Sequence, residues 1–131
     1  MKYFITGGAG FIGSFLVDKL LAWENSVTVY DNLSSGHLEF IKAHSGNKRF
    51  KFIRADLFDM KKLRKCIKDA DFVFHLAANP DIRYGIRHTM TDINQNTLAT
   101  YNVLEAMRFA DVRRIAFSII NQWTQRGPDY S

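Results

Sequence analysis

The chain has a single cysteine, Cys66, among its 131 residues, so it cannot form an internal disulfide bond. No group of histidines and cysteines has the spacing of a metal site. No run approaches the roughly 18 apolar residues that a transmembrane helix needs, and no linker, repeat or low-complexity segment divides the sequence. These absences predict one soluble domain without a metal or membrane partner, in a reducing cytoplasm.

The chain is basic, with a net charge of +5, which makes nucleic-acid binding one interpretation. The largest group of lysines and arginines, residues 61–68, lies on a predicted helix that Asp59 caps. Its buried stripe would be Met60, Leu63 and Ile67, so the cations would occupy the solvent face. Because no nucleic-acid recognition motif accompanies them, we predict no such partner. A basic scaffold with a vestigial ligand site remains the alternative.

Residues 5–13 form a glycine-rich run, Ile-Thr-Gly-Gly-Ala-Gly-Phe-Ile-Gly. Its glycines fit two overlapping spacings, GxxGxxG from Gly7 and GxGxxG from Gly8, and both are typical of a dinucleotide-binding turn. Glycine allows a tight turn from strand to helix and lets main-chain amides approach a pyrophosphate at the positive end of the helix. Turns from strand to helix are also rich in glycine for structural reasons alone, so the flanking sequence must distinguish a ligand-binding turn from a structural one.

The flanking sequence supports a ligand-binding turn. A short apolar strand, residues 2–6, precedes the glycines, and a second strand, residues 27–30, ends at Asp31. A carboxylate there can accept hydrogen bonds from both hydroxyls of an adenosine ribose and would repel the 2′-phosphate of NADP, so the pattern favours NAD. Asp31 could instead be an ordinary turn-forming residue before Asn32.

Strands and helices alternate along the whole chain, which predicts an α/β fold: a Rossmann-type, doubly wound parallel sheet of about five strands in three layers. One helix should bury Ile12, Leu16, Leu20 and Trp23, and another, over residues 89–109, should present Ile93, Thr97, Tyr101 and Leu104 on one face, with Met107 close by. The further predicted strands are residues 50–54, 72–78 and 114–120, and the further predicted helices are residues 37–45 and 60–68.

Five ordered blocks of the sequence resemble the extended short-chain dehydrogenases. They are Thr-Gly-Gly-Ala-Gly-Phe-Ile-Gly-Ser at 6–14, Asp-Asn-Leu-Ser-Ser-Gly at 31–36, Ala-Asp-Leu at 55–57, His-Leu-Ala-Ala at 75–78, and Asn-Thr-Leu-Ala-Thr-Tyr-Asn-Val-Leu-Glu-Ala at 96–106. Within that group, the chain is most similar to NAD-dependent nucleotide-sugar epimerases and dehydratases of the UDP-glucose 4-epimerase type.

This resemblance implies roles for particular positions around NAD. It implies that the pyrophosphate contacts Gly7, Gly10, Phe11, Ile12 and Gly13, and that the adenosine ribose contacts Asp31 and Asn32, with Ser34, Ser35 and Gly36 nearby. The adenine would contact Asp56 and Leu57, and the middle of the cofactor would contact Leu76, Ala77, Ala78 and Asn79. Asn96 would hold the loop near the nicotinamide ribose. Small residues at 77 and 78 could equally reflect helix packing, and Asn96 could be an ordinary helix residue. His75 lies in a buried strand, so we expect a structural histidine and not a catalytic base.

The likeness ends near Ser118. In the family the fifth strand ends in hydroxyl residues that supply a catalytic serine or threonine, and a Tyr-x-x-x-Lys motif follows on the next helix. Here Ile120 stands where the catalytic hydroxyl is expected, and Tyr130 is not followed by a lysine. We therefore expect an NAD-binding domain over residues 1–118, a tail unlike the family over residues 119–131, and no catalytic residue in the chain.

These features predict the N-terminal part of an enzyme that has been truncated, or altered by a reading-frame change, near codon 119. A nucleotide sugar would then bind only if the missing C-terminal half were supplied, for example by a partner chain. Residues 115–120 would also form an apolar edge of the sheet. Such an edge predicts self-association or marginal stability.

Overall fold

The computed structural model of the chain describes residues 1–79, 81 and 87–118. Strands and helices alternate over these residues, as predicted. The elements in chain order are β1 (Lys2–Thr6), α1 (Phe11–Ala22), β2 (Ser26–Asp31), two short 3₁₀ turns (Leu38–Phe40 and Lys42–His44), β3 (Phe50–Arg54), α2 (Met60–Ile67), β4 (Phe72–His75), α3 (Thr89–Asp92), a π-helical segment (Ile93–Leu98), α4 (Ala99–Phe109) and β5 (Ile115–Phe117).

The five strands form one parallel sheet in the order β3-β2-β1-β4-β5. The chain therefore builds outward from β1 to β3 on one side, and then crosses back to place β4 and β5 on the other side. In open α/β sheets, the crevice at the carboxyl ends of the strands on either side of such a reversal is where ligands bind. The topology therefore indicates a ligand site at the carboxyl ends of β1, β2 and β4.

Each face of the sheet has its own apolar cluster. On one face, α1 packs through Val17, Leu20 and Leu21 against Ile5 and Val29. On the other face, α2 and α4 pack against the sheet, and the buried members of that cluster include Phe4, Tyr30, Leu63, Ile67 and Val103. The predicted three-layer, doubly wound α/β architecture is confirmed.

The predicted buried stripe of α1 is correct at Leu20 and at Leu16, which is partly buried against the core, but it is wrong at Ile12 and Trp23. Ile12 and Trp23 are 64% and 69% exposed, whereas Gly13, Ser14 and Val17 are buried. The reason is the close approach of α1 to the sheet at its first turn, where only small side chains fit.

The predicted face of the long helical region is also wrong. Ile93, Tyr101 and Leu104 are 46%, 58% and 47% exposed, and Thr97 is exposed as well. The buried side chains of α4 are Ala99, Val103, Ala106 and Met107. Alanines mark the packed face because α4 lies against both α2 and the sheet, which leaves little room for longer side chains.

Several boundaries differ from the sequence prediction. The strand expected over residues 72–78 ends at His75, and residues 37–45 form two 3₁₀ turns in place of one helix. Of the expected strand over residues 114–120, β5 accounts for Ile115–Phe117, and residues 119 and 120 lie outside the described residues. Over the described ranges, no helix has the length and apolarity needed to cross a bilayer.

Candidate functional site

A cleft of about 280 Å³ opens at the carboxyl ends of β1, β2, β3 and β4. It brings together residues from all five of the sequence blocks that carry the family resemblance. The predicted site residues that line it are Gly7, Gly10, Asp31, Asn32, Ser34, Ser35, Gly36, Asp56, Leu57, Leu76, Ala77 and Ala78. Phe11, Ile12, Gly13, Asn79 and Asn96 do not line it, and the geometry described below shows what each of them contacts.

Two glycines are required by the turn between β1 and α1. Gly7 has φ of +70°, in the left-handed region, and a Cβ there would lie 2.6 Å from the main-chain nitrogen of Ala77. A Cβ on Gly13 would lie 2.4 Å from the carbonyl oxygen of Gly7. The turn therefore packs main chain against main chain, which brings the start of α1 to the floor of the cleft.

The first turn of α1 offers main-chain donors to the cleft. The Gly10 amide donates to the Gly7 carbonyl over 3.1 Å, and the first helical hydrogen bond runs from the Ser14 amide to the Gly10 carbonyl over 2.9 Å. The amides of Phe11, Ile12 and Gly13 precede that bond and have no helical carbonyl to satisfy them. The side chains of Phe11 and Ile12 are exposed and do not line the cleft.

Asp31 is a buried carboxylate at the end of β2, 8% exposed. Its Oδ2 accepts a hydrogen bond from the Ala9 amide over 3.0 Å, and its Oδ1 accepts one from the Leu33 amide over 2.8 Å. The second bond makes Asp31 a turn former, so this alternative from the sequence is correct. It also holds the carboxylate at the cleft, where each oxygen keeps a further lone pair for a ligand hydroxyl.

The adjacent wall of the cleft is built around Asp56. Its Oδ1 accepts from the Phe58 amide over 2.8 Å, and its Oδ2 accepts from Nδ2 of Asn32 over 3.0 Å. The Tyr30 hydroxyl donates to the Asp56 carbonyl over 2.9 Å. Burial, with a smaller contribution from the nearby carboxylate of Asp59, raises the pKa of Tyr30 well above its usual value. Tyr30 therefore stays a neutral donor that fixes the end of β3 beside β2.

His75 is buried at the end of β4 and has a hydrogen-bond partner on each ring nitrogen. Nδ1 lies 2.6 Å from the Thr6 hydroxyl, and Nε2 lies 2.9 Å from the Thr100 hydroxyl. The Thr100 hydroxyl donates its proton to the Asn96 carbonyl, so at His75 it can only accept, and Nε2 carries the proton. Nδ1 then accepts from Thr6, whose oxygen accepts from the Ala77 amide over 3.4 Å.

This chain of hydrogen bonds, from the Ala77 amide through Thr6, His75 and Thr100 to the Asn96 carbonyl, is called the histidine relay below. Every donor in it points in one direction, and both nitrogens of a neutral imidazole are satisfied. Burial lowers the pKa of His75 to about 4, which keeps the ring neutral. His75 is thus a structural histidine, as expected from the sequence, and it connects β1, β4 and α4 behind the cleft residue Ala77.

The loop after β4 is held by a second network. The Asn79 amide donates to Oδ1 of Asn96 over 3.0 Å, and Nδ2 of Asn79 donates to Oδ1 of Asp92 over 2.9 Å. Nδ2 of Asn96 donates to the same Asp92 oxygen over 3.3 Å. Asn79 and Asn96 therefore support the cleft from outside its lining.

The structure also places residues in the cleft that the sequence did not indicate. Tyr30, Ala55 and Phe58 are direct neighbours of predicted residues at the strand ends, so the position of those ends could have revealed them. The other unpredicted lining residues are Asn94, Gln95 and Ala99. Asn94 and Gln95 belong to the π-helical segment, whose wider turn changes which side chains face the cleft. No periodicity in the sequence marks that segment.

The described lining of the cleft is acidic. It contains the carboxylates of Asp31 and Asp56 and no lysine or arginine. Among the residues that the structure describes, no cluster of histidine, cysteine, aspartate and glutamate could hold a metal ion. Any negatively charged ligand group in this lining would have to be held by neutral donors: main-chain amides, hydroxyls and the side-chain amides of Asn32, Asn94 and Gln95.

The comparisons with known proteins agree with this geometry. The chain is 35% identical over 116 residues to the UDP-glucose 4-epimerase of Mycolicibacterium smegmatis, and the match covers 88% of the chain and 37% of that enzyme. Among solved structures, it matches the UDP-glucose 4-epimerase of Thermus thermophilus in complex with NAD, with a TM-score of 0.78, 34% identity and coverage of 88% of the chain and 36% of that protein.

A third relative is the UDP-N-acetylglucosamine 4-epimerase of Methanobrevibacter ruminantium M1. The TM-score is 0.85 at 32% identity, and the match covers 98% of the chain and 41% of that protein. The chain therefore spans between 36% and 41% of the length of these three relatives. The profile of the GDP-mannose 4,6 dehydratase family matches residues 4–121, and the chain belongs to that family.

Proposed function

We propose that the cleft binds NAD, and that the chain serves as the cofactor-binding part of a nucleotide-sugar epimerase or dehydratase. The observation that carries the proposal is the placement of a glycine turn and a buried aspartate at two points of one cleft. The turn exposes helix amides that suit a pyrophosphate, and Asp31 presents a carboxylate that suits a ribose diol. The relative from Thermus thermophilus, solved in complex with NAD, supports the choice of ligand.

The proposed contacts follow the order of the residues along the cleft. The glycine turn at Gly7, Gly10 and Gly13, with the amides of Phe11 and Ile12, would hold the pyrophosphate. The ribose and adenine would lie against Asp31, Asn32, Ser34, Ser35, Gly36, Asp56 and Leu57. The remaining part of the cofactor would pass Leu76, Ala77 and Ala78, while Asn79 and Asn96 would fix the loop that bears them.

The electrostatics of the cleft favour NAD over NADP. A 2′-phosphate would lie beside the buried Asp31 carboxylate, and the described lining offers no cation to offset the repulsion. NAD places a neutral hydroxyl at the same point, which can donate to that carboxylate. We expect discrimination of at least about tenfold in Kd, equivalent to about 1.4 kcal/mol.

The sugar chemistry of the relatives is a separate step of the proposal. The 131 residues contain no tyrosine followed four positions later by lysine, the pair that the family uses as acid/base and pKa-lowering residues. We therefore propose that residues 1–118 bind the cofactor in a cytoplasmic setting and that residues 119–131 do not extend the site. Conversion of a UDP-sugar would need further residues, and the second candidate function is a half-enzyme completed by a partner chain that pairs with the sheet edge at β5.

Calorimetric titration with NAD and NADP tests the cofactor proposal. The wild-type chain should bind NAD saturably and NADP at least about tenfold more weakly. Asp31→Asn should raise the Kd for NAD by about tenfold, because it removes the charge and one acceptor while keeping the side-chain shape. Glu39→Gln, at an exposed position in the first 3₁₀ turn, is the matched control and should leave the Kd unchanged.

A folded chain, by circular dichroism, that shows no saturable heat at millimolar NAD would refute the proposal. Turnover of UDP-glucose or UDP-galactose by the isolated chain would refute the claim that further residues are needed. Sedimentation velocity at increasing concentration tests pairing at β5. A monomer at all concentrations would exclude a partner strand from a second copy.

A further inference from the structure

A second cavity, of about 410 Å³, lies away from the cleft, at the amino ends of β1, β2 and β3. We call it the lysine groove. Its polar lining includes four lysines, two hydroxyl residues and one aspartate: Lys2, Lys51, Lys65, Lys68, Ser26, Thr28 and Asp69. The volume falls within the range of small-molecule sites, roughly 300–1,000 Å³.

The sheet register explains why these side chains meet. Lys2 pairs with Ser26, and Thr28 pairs with both Phe4 and Lys51. Residues paired across neighbouring strands point to the same face of a sheet, so these side chains share the face that α2 covers. The end of α2 and the residues after it close the groove from above with Lys65 and Lys68.

The groove carries an excess of positive charge. Four lysines line it, against the single carboxylate of Asp69. Within the described ranges, the ion pairs of the protein involve other residues, and no hydrogen bond is made by the ammonium groups of these four lysines. The hydroxyls of Ser26 and Thr28 add neutral donors on the floor.

The acidic cleft and the basic groove thus lie at different ends of the same three strands. Lysine ammonium groups bind phosphate as point charges, and hydroxyl donors complete the coordination of its oxygens. We propose that the lysine groove binds a small anion with two or more phosphate groups. Because the groove is separate from the cleft, such a ligand would bind together with the cofactor.

The aromatic residues of the groove argue against a nucleic-acid strand. Phe4 is 1% exposed, and the Tyr3 ring packs against the rings of Phe72 and Phe74 at centroid distances of 5.9 and 5.8 Å. The Phe4 ring is buried and the Tyr3 ring is only partly exposed, so the groove offers little aromatic surface for base stacking, which is a main source of affinity for single strands. The groove offers charge and hydroxyls, which suit the oxygens of a small phosphate anion.

The position of Cys66 allows a direct test on the wild-type chain. Cys66 lines the groove and is the only cysteine of the protein, so its alkylation by neutral iodoacetamide reports on this site and not on the cleft. With NAD saturating, inorganic tripolyphosphate at millimolar concentration should slow alkylation at least about fivefold. Potassium chloride at the same ionic strength should leave the rate nearly unchanged.

Matched variants separate the groove from the general charge of the protein. Lys51→Gln combined with Lys65→Gln should weaken tripolyphosphate binding by at least about tenfold, as measured by calorimetry in the presence of NAD. Lys19→Gln combined with Lys42→Gln removes the same charge from exposed positions outside the groove. The control pair should change the Kd by less than about twofold.

Three results would overturn the proposal. The first is no protection of Cys66 at about 10 mM tripolyphosphate, and the second is an equal loss of affinity in both double variants, which would indicate diffuse charge. The third is protection by a single-stranded oligonucleotide at a lower phosphate concentration than tripolyphosphate, which would indicate a nucleic-acid surface. Each can occur with NAD binding intact, so the result is independent of the proposed cofactor function.

Discussion

Thr6 and His75 are register partners on β1 and β4, and a hydrogen bond of 2.6 Å joins the Thr6 hydroxyl to Nδ1 of His75. The pair lies where the order of the sheet reverses, directly beside the turn that begins at Gly7. It therefore couples the strand that leads into the glycine turn to the strand that leads into the loop of Ala77. The stability of this junction should depend on the protonation state of one ring.

The free energy of unfolding should fall with acid because of His75. Its pKa in the folded chain is about 4, below the usual 6.5, so the unfolded chain binds the proton at a higher pH than the folded chain does. The contribution of neutral His75 to the free energy of unfolding is therefore complete above pH 6.5 and is lost as the pH falls toward 4. Between pH 7.5 and 5 the expected loss is about 2 kcal/mol. Urea unfolding across this range measures it, and His75→Gln should remove this part of the slope. Equal slopes for both chains would contradict the assignment.

Replacement of Thr100 tests the far end of the histidine relay. Thr100→Val removes the acceptor of the Nε2 proton of His75 and the donor to the Asn96 carbonyl, so a buried ring nitrogen and a partly buried carbonyl each lose one hydrogen bond. We expect a loss of about 1–3 kcal/mol in unfolding free energy. Thr97→Val, at an exposed position in the preceding π-helical segment, should change it by less than about 0.5 kcal/mol. Similar losses in the two variants would show that the relay contributes nothing specific.

The turn before α1 can be tested with a pair of glycines. A Cβ on Gly13 would meet the Gly7 carbonyl oxygen at 2.4 Å, whereas a Cβ on Gly46 would meet nothing within 4 Å. Gly13→Ala should therefore destabilise the protein by about 1–3 kcal/mol through overpacking. Gly46→Ala should be neutral or stabilise slightly, because it restricts the unfolded chain. Thermal unfolding measures the stability of the two variants. Equal stabilities would contradict the tight packing of the turn at Gly13.

The cap of α2 gives a prediction that is independent of the cleft. The Asp59 carboxylate accepts from the Lys62 amide over 3.1 Å at the start of this helix. Asp59→Ala should lower the free energy of unfolding by about 1 kcal/mol. Asp69→Ala, just beyond the other end of α2, removes a negative charge from the unfavourable end of the helix dipole and should be neutral or slightly stabilising. Chemical denaturation measures the free energy of unfolding of both variants. A larger decrease for Asp69→Ala than for Asp59→Ala would contradict the capping role of Asp59.

The parts of the molecule that the sequence predicted are those with strong local chemistry. Gly7 and Gly13 are constrained by steric limits that no other residue satisfies, Asp31 and Asp56 follow short apolar strands, and Asp59 precedes an amphipathic helix. Each of these signals lies within a few residues of the feature it predicts. The strand ends and the cleft could therefore be placed before the structure was known.

The helix faces could not be predicted in the same way. Hydrophobic periodicity selected Ile12 and Tyr101, but both are exposed, and the packed positions belong to small residues such as Gly13 and Ala106. Which face of a helix is buried depends on the distance to its neighbours, and that distance is a property of the folded chain. The same limit applies to Asn94, whose place in the cleft depends on the π-helical segment.

In the proposed function the glycine turn would hold its ligand with main-chain amides, and this would have a consequence for how the cleft responds to pH. An amide does not titrate, so acid that protonates His75 would leave those donors unchanged while it loosens the junction beside Ala77. The two ends of one ligand would then be released at different pH. Hydrogen exchange in mild acid would detect this as early opening of the loop after β4, with the amides inside α1 still protected.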